Sequence, residues 1–256
     1  MIITVDQVVV FFLVFARLGA MMIYAPIFKT KELLSMGKLV LLFWISLLVI
    51  FYIPLPTTLP NSPITLILSL LVEVLIGALI GFAAEIFIIG IELAGALMDT
   101  QAGLSVASLL DPATGQSTTL LSKLMKQIAL LLFLILDGHH ILLGFMINSF
   151  RAVPVAYPVN LQFAIEHVVN SSMKIFSIGL QFASPIIFVV FIIDFAFGML
   201  SRVAPQINVF QLGFQVKPLI SLFVLLLILP GMVDFMYILF EDISKDLLRL
   251  LFLFRV

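Results

Sequence analysis

Cysteine is absent from these 256 residues, which excludes disulfides, thiolate metal sites and a cysteine nucleophile. Charge is scarce: Asp, Glu, Lys and Arg make up 11% of the chain, against about 25% in an ordinary soluble domain. With 63% hydrophobic residues there are too few charges to coat a globule, so a freely soluble enzyme and a disordered tail are both excluded. The net charge of −1 leaves no basic excess for nucleic acid or for a polybasic contact with lipid headgroups. No HExxH, GxSxG or P-loop pattern is present, so no motif supports hydrolysis or nucleotide binding, and an enzyme is not expected. The alternating segments of an outer-membrane barrel are missing too.

What is present is apolar and continuous. Six blocks stand out: Val8–Phe28, Leu39–Ile53, Ile64–Leu97, Gln127–Ile147, Ile175–Leu200 and Pro218–Phe240. They predict an all-α integral membrane protein, with membrane lipid as one of its partners. The N-terminus, with Asp6 and no basic residue before Arg17, does not read as a cleavable signal, so the first helix is expected to stay. A simple set of spans fits badly, however. Leu39–Ile53 falls short of the ~20 residues that cross a bilayer, whereas no proline interrupts the chain between Pro63 and Pro112. That second stretch must either fold into a hairpin or project beyond the lipid. The lysines of Lys29–Lys38 favour placing the first loop inside, but strict alternation would then put Arg151 and Lys174 outside. Some of these helices are therefore expected to pack on protein, not lipid.

From Leu39 to Ser122 there is no lysine or arginine, yet Glu73, Glu85, Glu92, Asp99 and Asp111 occur there. A carboxylate in hydrocarbon is costly unless it is paired, hydrated or protonated. At about 100° per residue, Glu73, Glu85, Glu92 and Asp99 share one helix face of about 120°, together with Gly77 and Gly81. Gly77 and Gly81 form a GxxxG pair, which lets helix backbones approach closely. The face reads as a subunit interface or polar seam whose acids meet partners outside the chain. Pairing with Arg17, Arg202 or a distant lysine of the same chain is the alternative. At the far end of the seam, Asp99 and then Asp111 are expected in solvent.

His139 and His140 are adjacent, so on a helix their side chains diverge and form no i, i+4 metal pair. No metal site or other cofactor is expected. The stretch Asp111-Pro112-Ala113-Thr114-Gly115-Gln116 is a strong turn signal, either a plain surface turn or a loop that occludes a passage.

Leu110–Gly115, Gly138-His139, Ser149-Phe150 with Val153-Pro154, and Arg202-Val203-Ala204-Pro205-Gln206-Ile207-Asn208-Val209-Phe210 followed by Gly213-Phe214 and Lys217 occur in that order. With Arg17 and Pro26, they make the chain resemble the FliR/SctT family of type III export-gate proteins over essentially its whole length. The resemblance implies a subunit of the export gate of the bacterial inner membrane, in the flagellar basal body, through which unfolded flagellar subunits pass. It implies FliP and FliQ homologues as partners in a hetero-oligomeric core, with FlhB and FlhA homologues beside it. It also implies helical hairpins wound into a conical stack, a FliP-like part (1–165) and a FliQ-like part (166–256). By the same resemblance Asp111–Gln116 is the loop that plugs the closed pore, and Arg202, Pro205, Gln206, Asn208 and Phe210 form an assembly motif. Within that motif, Pro205 should stop one helix and Asn208 cap the next. The alternatives are an injectisome export subunit and a stand-alone ion or solute transporter.

Overall fold

A computed structural model describes residues 5–26, 28, 35–53, 60, 62–105, 119–157, 159 and 161–254. Among the described residues the regular structure is entirely α-helical: α1 (Val5–Tyr24), α2 (Ser35–Tyr52), α3 (Pro63–Ala102), α4 (Leu120–Ile135), α5 (Gly138–Ala152), α6 (Leu161–Ser172), α7 (Lys174–Val203) and α8 (Val209–Leu253). Four stretches are long and apolar enough to cross a membrane: Asp6–Tyr24, Pro63–Ala102, Leu161–Val203 and Val209–Leu253. The broken pair α4 and α5 makes a fifth if counted as one span.

Among its described residues, the proline-free stretch does not fold into a hairpin. It forms one helix, α3, of 40 residues, about 60 Å long at 1.5 Å per residue. Its ends are written in the sequence. Ser62 and Thr65 cap the start reciprocally, the Thr65 N–H donating to Ser62 Oγ and the Ser62 N–H to Thr65 Oγ1. At the other end Gly103 adopts φ 77, the Gly103 N–H donates to the Thr100 carbonyl, and the Leu104 N–H donates to that of Asp99. This is a Schellman ending, and the left-handed residue it needs is a glycine.

Proline inside α7 is tolerated for an identifiable reason. Pro185 has no N–H to offer the Gln181 carbonyl one turn back, and the Ser184 hydroxyl donates to that oxygen instead, at 2.9 Å.

Two compact units divide the chain: residues 1–86, 133–172 and 240–256 form the first, residues 87–132 and 173–239 the second. These units cut across the two sequence halves. The first has a continuous apolar core that includes Leu13, Leu18, Met21, Ile76, Leu142, Phe150 and Leu250. In it α1 crosses α3 at backbone contact, because a methyl on Gly77 would overlap the Arg17 carbonyl and one on Gly81 would lie 2.6 Å from that of Met21. The second unit interlocks α3 and α7 reciprocally. Ile178 fills the space over Gly90 and Leu93 fills the space over Gly179, each about 2.9 Å from where a Cβ would sit.

Candidate functional site

The most unusual residue of the first unit is Arg17, which is fully buried on α1. An arginine stays charged in proteins, so its site must supply charge and acceptors. Glu73 of α3, one turn before Gly77, supplies the charge: Arg17 Nε donates to Glu73 Oε2 in a buried ion pair. Arg17 Nη1 donates to the carbonyls of Ser149 (3.2 Å) and Val153 (2.9 Å), where α5 ends. A cation suits a helix C-terminus, whose last carbonyls carry partial negative charge. The Phe150 ring lies under the guanidinium at 4.3 Å, a cation–π contact on the remaining face. Nη2 has no hydrogen-bond partner among the described residues.

Glu73 does a second task. Its Oε1 accepts the Ala156 N–H at 3.1 Å. Ala156 has φ 59, a conformation that costs a residue with a Cβ about 1–2 kcal/mol. One ion pair therefore ends α5 and holds the strained turn that follows. Of the residues carrying the family resemblance, Arg17, Ser149, Phe150 and Val153 all converge here.

The second unit uses its acids differently. Asp99 is fully buried, not in solvent, and its Oδ2 accepts the backbone N–H groups of Leu121 (2.8 Å) and Ser122 (3.1 Å). These belong to the first turn of α4, whose leading N–H groups have no partner within the helix. Asp99 thus caps a helix that starts far along the chain. Glu92 pairs with Lys126 at 2.8 Å, and its carbonyl accepts the Ser122 hydroxyl at 3.0 Å. Gly95 permits this approach, since a methyl there would lie 2.5 Å from Ser122 Cα. Glu85 is buried. Where partners outside the chain were expected, Glu73, Glu92 and one oxygen of Asp99 find partners inside it, while Asp99 Oδ1 is buried without a hydrogen-bond partner among the described residues. The small-residue face admits α1 and α4 of the same chain, so its acids meet groups those helices carry. No lysine or arginine lies nearby in sequence, but Arg17 and Lys126 reach them across folds of the backbone.

At the assembly motif, α7 ends at Val203 and Asn208 Oδ1 accepts the Gln211 N–H at 3.2 Å, capping α8 as expected. Arg202, Pro205, Gln206, Asn208 and Phe210 are all exposed. Beside them lies an open cleft of about 390 Å³ lined by Phe197, Ser201, Phe210, Phe214 and the ion pair Asp194–Lys217, at 2.5 Å. From sequence Asp194 reads as a proton-relay group or, more commonly, a polar contact to a neighbouring helix; Lys217 as its partner was missed. The expected plug loop, Asp111–Gln116, lies outside the described residues.

One ligand atom from each of Asp137, His139 and His140 lies within 4.8 Å of the other two, closer than adjacency on a helix leads one to expect. Both histidines lie in the first turn of α5, and Asp137 before it takes a left-handed conformation, φ 55.

A family profile described as bacterial export proteins, family 1, matches residues 8–243. The chain belongs to this family. Among relatives, the flagellar biosynthetic protein FliR of Pectobacterium carotovorum is 33% identical over 239 residues, 93% of this chain and 91% of its own. FliR of Bacillus subtilis is 29% identical over 228 residues, 87% of this chain and 86% of its own. The Yop proteins translocation protein T of Yersinia pestis is 31% identical over 159 residues, 61% of each chain. The family assignment gives the buried Arg17 site its context: an export protein of many apolar helices, tied together internally by a few buried charges.

Proposed function

We propose that this chain is a non-catalytic subunit of the type III protein export gate in the bacterial inner membrane, at the flagellar basal body. There it forms, with FliP and FliQ homologues, the passage for unfolded flagellar subunits, and FlhB and FlhA homologues join it. The observation that carries this reading is the end-to-end similarity to flagellar export relatives. The longer coverage by flagellar relatives than by the Yersinia protein favours the flagellar machine over virulence secretion. Large side chains left exposed along α7, such as Phe188, Phe191 and Phe195, suit a chain solvated by lipid and sister subunits.

Asp111–Gln116 is the plug of the closed pore on this reading. Support comes from its flanks: Asp99 binds the first turn of α4, which pins the end of α3 to the start of α4. Arg202, Pro205, Gln206 and exposed Phe210 then serve assembly.

Two measurements test the reading. Co-expression with FliP and FliQ homologues should yield a complex that co-purifies in detergent; a monodisperse monomer that ignores both refutes the gate assignment. Deleting residues 111–116 should leave that complex intact yet raise its ion conductance in planar bilayers. Unchanged conductance refutes the plug alone.

A further inference from the structure

We propose that Asp137, His139 and His140 form a binding site for a divalent transition-metal ion. Two imidazoles and one carboxylate are a donor set suited to zinc, nickel, copper or cobalt, with positions left open for water or another ligand. The three donors come from four consecutive residues, so the site needs no distant part of the chain to assemble it. Their ligand atoms already lie within 4.8 Å of one another.

Three further observations point the same way. His140 Nδ1 lies 3.2 Å from Asp137 Oδ1, so a ring nitrogen and a carboxylate oxygen already share one position where a proton or a metal ion can bridge them. The His139 and His140 rings sit with centroids 4.1 Å apart, side by side where a mid-helix pair would diverge. His139 Nδ1 is shielded from solvent and has no hydrogen-bond partner among the described residues. A buried, unpartnered polar atom in a folded protein calls for an explanation, and a bound ion is one.

The backbone supplies the geometry. Asp137 is left-handed, at φ 55, and accepts the His140 and Ile141 N–H groups on its carbonyl, which begins α5. Gly138 packs against the Phe133 ring, which lies 2.7 Å from where a Cβ would sit, so a larger residue there would have to displace the ring. The Asp137 carboxylate offsets the positive end of α5, which alone would repel a cation. Asp137 and His140 are largely exposed, at 72% and 70%, which gives an ion a route in. A metal bound here ties the residue before α5 to its first turn and stiffens the break between α4 and α5.

The test is zinc titration of the chelator-treated full chain, purified in detergent with whatever partner subunits accompany it. Calorimetry should show one zinc ion per chain, and the melting temperature should rise with zinc. His139→Gln and His140→Gln should each weaken binding by about tenfold or more, whereas His167→Gln, on α6 and outside the cluster, should bind as wild type. Cobalt(II) should give visible ligand-field bands that both variants lose. Asp137→Asn keeps a residue tolerant of the left-handed conformation and removes only the charge, so weakened binding in a variant that melts normally without metal separates ligation from folding. No saturable zinc binding, or equal binding by wild type and His140→Gln, overturns the proposal.

Discussion

Glu73→Leu should be far more damaging on its own than when combined with Arg17→Met. Arg17 is fully exposed to none of the solvent and Glu73 to almost none, so removing the carboxylate strands a guanidinium that cannot shed its charge. Breaking a buried pair from one side costs about 3–5 kcal/mol. Losing the Ala156 N–H acceptor adds about 1–3 kcal/mol and releases the turn at φ 59. Arg17→Met leaves Glu73 as the stranded charge, so its cost is again about 3–5 kcal/mol. With both charges gone, two apolar side chains of similar size fill the space between α1 and α3. The Ser149 carbonyl still accepts the Val153 N–H. The double variant should therefore be more stable than the sum of the singles by at least about 2 kcal/mol, within the range for groups in direct contact. Thermal melting of the purified complex in detergent, for wild type, both singles and the double, measures this. Glu73→Gln separates the charge from the turn: it keeps an acceptor for Ala156 but not the counter-charge, so it should melt below wild type yet above Glu73→Leu. If the singles melt like wild type, or the double equals their sum, the buried pair is not what ties α1 to α3 and the turn.

Two further outcomes probe the backbone. Gly77→Ala should destabilise the first unit by about 1–3 kcal/mol, because the added methyl meets the Arg17 carbonyl, a backbone atom that cannot swing aside. Gly144→Ala, with nothing within 4 Å of the added carbon, should be neutral or slightly stabilising in the same melting assay. Asp99→Ala should cost about 1–2 kcal/mol and speed hydrogen exchange at Leu121 and Ser122 while leaving the far end of α4 protected; uniform exchange along α4 would show that Asp99 is not its cap.

The Asn208 cap of α8 was legible because its chemistry is local; Ser62 with Thr65 and Gly103 after the last turn of α3 are equally local signals that sequence reasoning passed over. The need for partners was legible too: five acids without a nearby cation must be compensated somewhere. Which partners was not. Arg17 stands 56 residues from Glu73, and Lys126 stands 34 from Glu92, so only the crossing of helices decides the pairing. Asp99 shows the limit most clearly. On its own helix it is a terminal acid, indistinguishable from one in water, and only the arrival of the uncapped N-terminus of α4 makes burial its stable state.

The same reasoning bears on assembly. Had the seam acids been left unpaired, charge would choose the sister subunits. Glu73, Glu92 and Asp99 are instead consumed by Arg17, Lys126 and the amides of α4, so those three contribute little to attraction between chains. On the proposed export-gate reading, specificity would then come from the shape of apolar faces and from exposed polar groups beside them, such as Arg202 and Gln206 next to Phe210. Packing of that kind is short-ranged and forms only when the helices carrying it already hold their places. The buried charges therefore act before assembly: by fixing α1 against α3 and the start of α4 against its end, they present an apolar surface of defined shape that a neighbour can recognise.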